Sequence, residues 1–126
     1  MRANAVCYTN DSKISWLGVP IALIEAHGAV SEEVASAMAD GIREKSGADV
    51  GVGVTGIAGP SGGSPQKPVG TVAIAAVTPA ERRVRTYRFP GDRKRVKQFA
   101  AQMALDMVRR LLAGADIGRA FQVKAP

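Results

Sequence analysis

Glycines and prolines crowd one short stretch of the chain, between two apolar segments. Residues 56–70 contain five glycines and three prolines. Glycine lets a backbone approach a ligand closely, and proline fixes φ, so a loop of this composition is stiff and rich in accessible amides. Such a loop can form an amide-lined concavity for a phosphate or carboxylate. We therefore predict an anion-binding loop rather than a flexible linker.

Two familiar phosphate-loop patterns do not describe this stretch. A Walker A loop needs Gly-Lys-Ser/Thr at the start of a helix, whereas Lys67 is followed by Pro68 and an apolar strand pattern. A dinucleotide fingerprint needs a helix that starts on the glycines, and none is predicted. Ser31, Ser61 and Ser64 have no base placed by sequence, so they are interpreted as capping or loop residues.

Cysteine and histidine are too sparse to predict a metal or redox centre. Cys7 is the only cysteine, which excludes an intramolecular disulfide and a cysteine-rich metal site. We interpret it as a small buried residue in a strand. His27, the only histidine, has no metal-ligating cluster around it and is interpreted as a structural residue near a turn. We expect no metal.

A basic segment follows at residues 82–97. Its cations are Arg82, Arg83, Arg85, Arg88, Arg93, Lys94, Arg95 and Lys97. Few aromatic residues accompany them, so we favour a solvated edge strand and helix face over a nucleic-acid surface. Arg93 differs because it follows Gly91-Asp92 at the predicted start of a helix, where an arginine suits a phosphate or oxyanion.

The totals indicate one globular domain. The chain has 126 residues, 46% of them hydrophobic, and a net charge of +6, which is compatible with anionic ligands. Neither a membrane span nor a signal-peptide pattern is predicted, so a cytoplasmic location is the default expectation.

The strands around the loop have distinctive patterns. Val50, Val52 and Val54 alternate with Gly51 and Gly53, which predicts a strand that packs very closely against a helix on its glycine side. Residues 69–77 are nearly all apolar, as in a strand covered on both faces. Residues 84–89 predict an antiparallel return strand at an edge.

Capping signals predict the helices. After a strand at residues 3–8 and a short helix ending at residue 17, Pro20 suits the first position of a helix over residues 20–26. Ser31 and Gly47 bound a longer helix with Met38 in its core-facing stripe. Asp92 begins the last helix, which we expect to run to residue 112 and stop at Gly114.

Taken together, the motifs resemble the C-terminal domain of the CinA family, the nicotinamide-nucleotide amidohydrolases. The resemblance covers about residues 8–112. In chain order the matching segments are Tyr-Thr-Asn at 8–10 with Lys13, Leu-Gly-Val at 17–19, HGAVSE at 27–32, TGIAGP at 55–60, Gly-Gly at 62–63, KPVGTV at 67–72 and Gly-Asp-Arg at 91–93.

This resemblance implies an α/β fold, as a three-layer α/β/α sandwich with a mixed, mainly parallel sheet. It also implies a Ser/Lys hydrolase without metal or cofactor, which converts nicotinamide mononucleotide to nicotinic acid mononucleotide and ammonia in NAD recycling. Members tend to assemble, so a homo-oligomer is expected. We expect the domain at residues 1–112 and a tail at 113–126.

The resemblance also suggests residue roles. Lys13 matches the family lysine, which would act as general base once desolvated. Tyr8 matches the motif tyrosine and is, with Lys13, an implied catalytic residue. Asn10 matches a neighbouring site position, and Thr9 stands where serine is usual. The implied substrate-binding residues are Asn10, Thr55, Gly56, Gly59, Gly62, Gly63 and Arg93.

One family segment has no counterpart in the printed sequence. The family carries Glu-Ser-x-Thr-Gly-Gly, with the supposed nucleophilic serine, on a strand and helix that precede the tyrosine motif. Because nucleophile and base act as a unit, we expect an N-terminally truncated domain with impaired activity. The alternative is a non-catalytic module that binds nucleotides or, less expected, nucleic acid.

Overall fold

A computed structural model describes residues 17–57, 59–60 and 62–115. The elements in chain order are α1 (Ile21–His27), α2 (Glu32–Ser46), β1 (Gly51–Gly56), β2 (Thr71–Val77), β3 (Arg82–Arg88) and α3 (Arg93–Ala115). The α/β class predicted from the sequence is confirmed. The strand expected at residues 3–8 and the short helix after it lie outside the described residues.

The described strands form one sheet in the order β1-β2-β3, and both pairings are antiparallel. The antiparallel return strand is therefore confirmed, whereas mainly parallel pairing is wrong for these strands. The reason lies in the connections, since the described residues between 57 and 70 contain no helix and residues 78–81 form a short turn. A parallel pair needs a crossover connection, usually helical.

Every residue of β2 is buried, because a helix covers each face of the sheet. Alternate residues face opposite ways. One set packs against α3: Val72, Ile74 and Ala76 with Val96, Ala100, Met107 and Leu111. The other set packs against α2: Ala73, Ala75 and Val77 with Ala35 and Ala39.

The glycine side of β1 lies directly against α2. A β-carbon on Gly51 would overlap the carbonyl oxygen of Ala39, and one on Gly53 would overlap that of Ala35. The close helix–strand contact predicted from the Val/Gly alternation is confirmed. This contact fixes α2, and with it the turn that precedes α2, relative to the end of β1.

Most capping predictions are confirmed. Ser31 Oγ accepts from Val34 N at 3.2 Å, Gly47 is left-handed with φ 68°, and Asp92 Oδ1 accepts from Arg95 N at 2.9 Å. Two details differ. Pro20 is the N-cap of α1 rather than its first helical residue, and α3 continues through Gly114 to Ala115. An interior glycine costs about 1 kcal/mol relative to alanine, which weakens a helix without ending it.

The outer surface of α2 is covered as well. Leu17 and Val19 are buried against Val34 and Met38, which confirms Met38 as a core residue. Among the described helices, none has both the length and the apolar character needed to cross a membrane.

Candidate functional site

The predicted site residues divide into two groups. Tyr8, Asn10 and Lys13 lie outside the described residues, so their approach to the glycine-rich loop stays a prediction. The others are described: Thr55, Gly56, Gly59, Gly62, Gly63 and Arg93.

These residues belong to one end of the sheet. The register pairs Gly56 with Val72, and Thr71 with Arg88, so β1 ends, β2 begins and β3 ends at the same edge. The glycine-rich loop leaves and re-enters the sheet there. Its base is closed by two backbone hydrogen bonds, from Ile57 N to Thr71 O at 2.9 Å and from Gly70 N to Ile57 O at 2.7 Å.

Arg93 begins α3 a few residues after β3 ends at the loop end of the sheet. Phe89 N donates to Gly70 O at 2.9 Å, so the chain leaves β3 beside the residue that closes the loop. Arg93 follows four residues later, is exposed, and opens the helix. The structure thus brings the loop and the helix start to one end of the sheet, as the anion-site hypothesis requires.

The loop is compact because its glycines lack side chains. A β-carbon on Gly59 would lie 2.5 Å from Val69 Cγ1, and one on Gly63 would lie 2.6 Å from Val69 N. Gly62 has φ 99°, which favours glycine. Gly59 is buried, whereas Gly56, Gly62 and Gly63 are exposed.

Thr55 is buried and its hydroxyl is engaged. Its Oγ1 donates to Ala29 O at 2.9 Å, across 26 residues of sequence. The Thr55 hydroxyl therefore donates its proton within the protein, and toward a ligand it can act only as a hydrogen-bond acceptor. In this arrangement Thr55 fastens the end of β1 to the turn before α2.

Two further side chains hold the same turn. Lys67 Nζ donates to His27 O at 2.7 Å, and Ser31 Oγ donates to Gly28 O at 2.9 Å. With Thr55 on Ala29, three consecutive carbonyls each accept a side-chain hydrogen bond. The glycine-rich loop is thereby attached to the α1–α2 turn through Lys67.

Sequence reasoning gave Lys67 no role, although the KPVG segment that contains it was part of the family resemblance. A β-carbon on Gly28 would lie 2.9 Å from Lys67 Nζ, so the glycine keeps space for the lysine. His27 lies at the end of α1 next to this turn, and its Nδ1 is 3.7 Å from Glu33 Oε2.

A cavity of about 650 Å³ opens at the same end of the sheet, between α2 and β3. Lys67 and Arg88 contribute cations to its wall, Glu32 and Glu33 contribute carboxylates, and Thr86 Oγ1 donates to Glu32 Oε2 at 2.9 Å. None of the predicted substrate-binding residues that the structure describes lines it. The cavity therefore adjoins the predicted site without coinciding with it.

The basic segment does not form a single surface. Arg82 is directed toward α2, where it pairs with Asp40 at 3.1 Å and contacts Ser36. Arg83 and Arg85 lie with α3 on the opposite side of the sheet.

Within the described part of the chain, no group of three or more His, Cys, Asp or Glu residues could hold a metal ion.

Replacing Thr55 with valine removes the donor to Ala29 and leaves a carbonyl without its partner. We expect a loss of about 1–3 kcal/mol in the free energy of unfolding, the usual cost of a lost buried hydrogen bond. Urea denaturation measures it. Thr86→Val is the matched control, because the Thr86 hydroxyl is exposed and valine is favoured in strands. An equally large loss of unfolding free energy in Thr86→Val would contradict the role given to the Thr55 hydrogen bond.

The described elements define an α/β domain in which a glycine-rich loop follows the first described strand. The sequence profile of the CinA C-terminal domain matches residues 1–112, and the chain belongs to this family.

Relatives support this assignment. The chain is 56% identical over 108 residues to a CinA-like protein of Acidobacterium capsulatum, covering 86% of this chain and 26% of that protein. A CinA-like protein of Gemmatimonas aurantiaca is 48% identical over 113 residues, covering 90% and 26%. The chain thus spans about a quarter of the length of these relatives.

Solved structures agree in fold. The competence/damage inducible protein CihA of Agrobacterium tumefaciens superposes with a TM-score of 0.81 at 38% identity, covering 83% of this chain and 65% of that one. A CinA superfamily protein of Escherichia coli gives 0.78 at 36% identity, covering 82% and 60%.

Proposed function

We propose that this chain is an amidohydrolase-type domain that acts on nicotinamide mononucleotide or a closely related anionic nucleotide. The observation that supports the proposal is the hydrogen bond from Phe89 N to Gly70 O, which holds the residue after β3, four positions before Arg93, against the end of the glycine-rich loop in a member of the CinA family. A helix start with an arginine and a loop of accessible amides together suit a phosphate.

In this proposal the loop and Arg93 bind the nucleotide, and the end of β1 at Thr55 and Gly56 faces the carboxamide. Lys13, as the residue that matches the family lysine, is the general base, with Tyr8 as a neighbouring site contact. The reaction breaks the carboxamide C–N bond and forms a C–O bond from water, with ammonia as leaving group. Nicotinic acid mononucleotide is the other product.

The expected rate of hydrolysis depends on whether a nucleophilic serine is present. The 126 printed residues contain no Glu-Ser-x-Thr-Gly-Gly segment, in which the family resemblance places the serine. Because members of a nucleophile–base pair act as a unit, the 126-residue chain alone should bind the nucleotide and hydrolyse it slowly or not at all.

The test measures binding and turnover separately. Isothermal titration of the purified chain with nicotinamide mononucleotide should show binding that is weakened by Arg93→Ala. Ammonia release should be indistinguishable from that of Lys13→Ala. No binding would refute the nucleotide site, whereas ammonia release well above the Lys13→Ala background would refute the impairment and establish the enzyme.

A nucleic-acid module is the second candidate, and it has less support. The arginines of β3 are divided between the two faces of the sheet, and Arg82 is paired with Asp40. A basic surface for a polyanion would instead show DNA binding that weakens steeply with salt. Absence of DNA binding at low salt would remove this candidate.

A further inference from the structure

A small cavity lies between β3 and α3, on the face of the sheet away from α2. Its volume is about 10 Å³, which gives room for a single particle of about the size of a water molecule. Its walls are Arg83, Arg85 and Tyr87 from the strand and Asp106, Met107 and Arg110 from the helix. It lies apart from the glycine-rich loop, because Arg85 pairs in register with Ile74, three positions along β2 from Thr71.

The carboxylate in the wall of this cavity is already paired within α3. Asp106 Oδ1 accepts from Arg109 Nη2 at 2.6 Å, and Asp106 Oδ2 accepts from Arg110 Nε at 2.7 Å. These hydrogen bonds, first the one from Arg109, lower the pKa of Asp106 and so keep the carboxyl ionised. Each oxygen of Asp106 thus pairs with an arginine of its own helix.

The arginines that β3 contributes have no such counter-charge. Neither Arg83 nor Arg85 forms an ion pair or a side-chain hydrogen bond with any residue that the structure describes. By contrast, Arg82 on the opposite face of the same strand pairs with Asp40 at 3.1 Å. Three arginines and one aspartate give the lining of the cavity a net charge of +2, which favours an anion.

The hydroxyl of Tyr87 adds a buried hydrogen-bond donor to this lining. Its oxygen is buried and has no hydrogen-bond partner among the described residues, although buried polar groups nearly always have one. The ring lies on the α3 side of the sheet and stacks on Phe89, with 5.4 Å between the ring centroids. The unpartnered groups of the cavity are therefore donors, one phenol hydroxyl and two guanidinium groups. A water molecule satisfies the hydroxyl but leaves the charge unbalanced, whereas an anion does both.

We propose that this cavity binds one monatomic anion of the halide class, with chloride as the occupant in solution, held by the Tyr87 hydroxyl and the guanidinium groups of Arg83 and Arg85. The volume admits one atom and excludes phosphate esters, so this site differs from the proposed nucleotide site in ligand as well as in position. Bound chloride joins β3 to α3 through donors of the strand. It should stabilise the fold and take no part in hydrolysis.

Thermal unfolding of the purified chain in sodium chloride and in sodium gluconate, each at about 300 mM, tests the proposal at equal ionic strength. Gluconate is too large for the cavity. We expect a Tm about 5 °C higher in chloride, the shift for a ligand at about ten times its dissociation constant. Arg83→Gln should abolish this difference. Arg88→Gln is the matched control, an equal charge change on the opposite face of β3, and should retain it. Equal wild-type Tm values in the two salts, or loss of the difference in both variants, would overturn the proposal.

Bromide locates the anion directly, since it has the charge of chloride and scatters X-rays anomalously. Crystals of the chain soaked in sodium bromide should show an anomalous peak within hydrogen-bond distance of Tyr87 Oη. Tyr87→Phe keeps the ring that stacks on Phe89 and removes only the hydroxyl, so its crystals should lack this peak. An undiminished peak in Tyr87→Phe, or none in the wild type, would contradict the proposal. A rise in Tm with inorganic phosphate that Arg83→Gln abolishes would also overturn it, because the cavity would then accept a polyatomic oxyanion.

Discussion

Replacing Gly53 with alanine should destabilise the domain severely, by at least about 3 kcal/mol of a total that is typically 5–15 kcal/mol. The added β-carbon would overlap the carbonyl oxygen of Ala35 and lie 2.9 Å from Ala39 N. Both are backbone atoms of α2, so no side-chain rotation relieves the overlap. The helix must move off β1, and the buried contacts of Ala35 and Ala39 with β2 are lost with it. Urea denaturation followed by circular dichroism measures the change.

Gly47→Ala is the control for this substitution. Gly47 has φ 68°, and a β-carbon there would have nothing within 4 Å. Gly47→Ala should therefore lower the free energy of unfolding only by the strain of a left-handed alanine, about 1–2 kcal/mol. If both variants lose equal stability, close packing of β1 on α2 is not what requires Gly53.

Replacing Arg93 with alanine should raise the dissociation constant for nicotinamide mononucleotide about 10- to 100-fold. The estimate follows from the roughly 1.5–3 kcal/mol that a hydrogen bond to a charged group contributes. Arg93 is exposed at the first residue of α3, so its removal should leave the fold and the free energy of unfolding unchanged. Isothermal titration measures the affinity, and thermal unfolding checks the fold.

Arg85→Ala separates this contact from a general effect of charge. Arg85 is also exposed, and its substitution changes the net charge equally. It pairs in register with Ile74, three positions along β2 from the Thr71–Arg88 pair at the loop end. Equal weakening by the two variants would show that the nucleotide responds only to overall charge, and an unaltered affinity in Arg93→Ala would remove this residue from the site.

Local sequence patterns predicted the parts of the fold that depend on neighbouring residues. The alternation of valine and glycine before Thr55 predicted the contact between β1 and α2. A strand face without side chains allows the backbone of a helix to pack directly against it. Ser31, Gly47 and Asp92 predicted helix ends, because a cap is formed within one turn of chain. The same logic failed at Gly114, where the helix continues in spite of its propensity.

Contacts between distant segments were beyond the sequence. Nothing local relates Lys67 to His27 O or Thr55 to Ala29 O, since a backbone carbonyl is the same chemical group at every residue. The direction of the strands was misjudged for a similar reason. It follows from the connection between β1 and β2, whose described residues contain no helix, whereas the expectation of parallel strands came from the family resemblance.

Lys67 Nζ donates a hydrogen bond to the backbone carbonyl of His27, which is the only histidine of the chain. The His27 ring can therefore serve as a spectroscopic probe of the glycine-rich loop. His27 contributes one imidazole, so its ring resonances stand alone in an NMR spectrum. We expect a ligand that displaces the glycine-rich loop to disturb the hydrogen bond from Lys67 Nζ to the backbone carbonyl of His27, and with it the surroundings of the imidazole. Loop occupancy can thus be followed by titrating ligand and watching one ring, without any label.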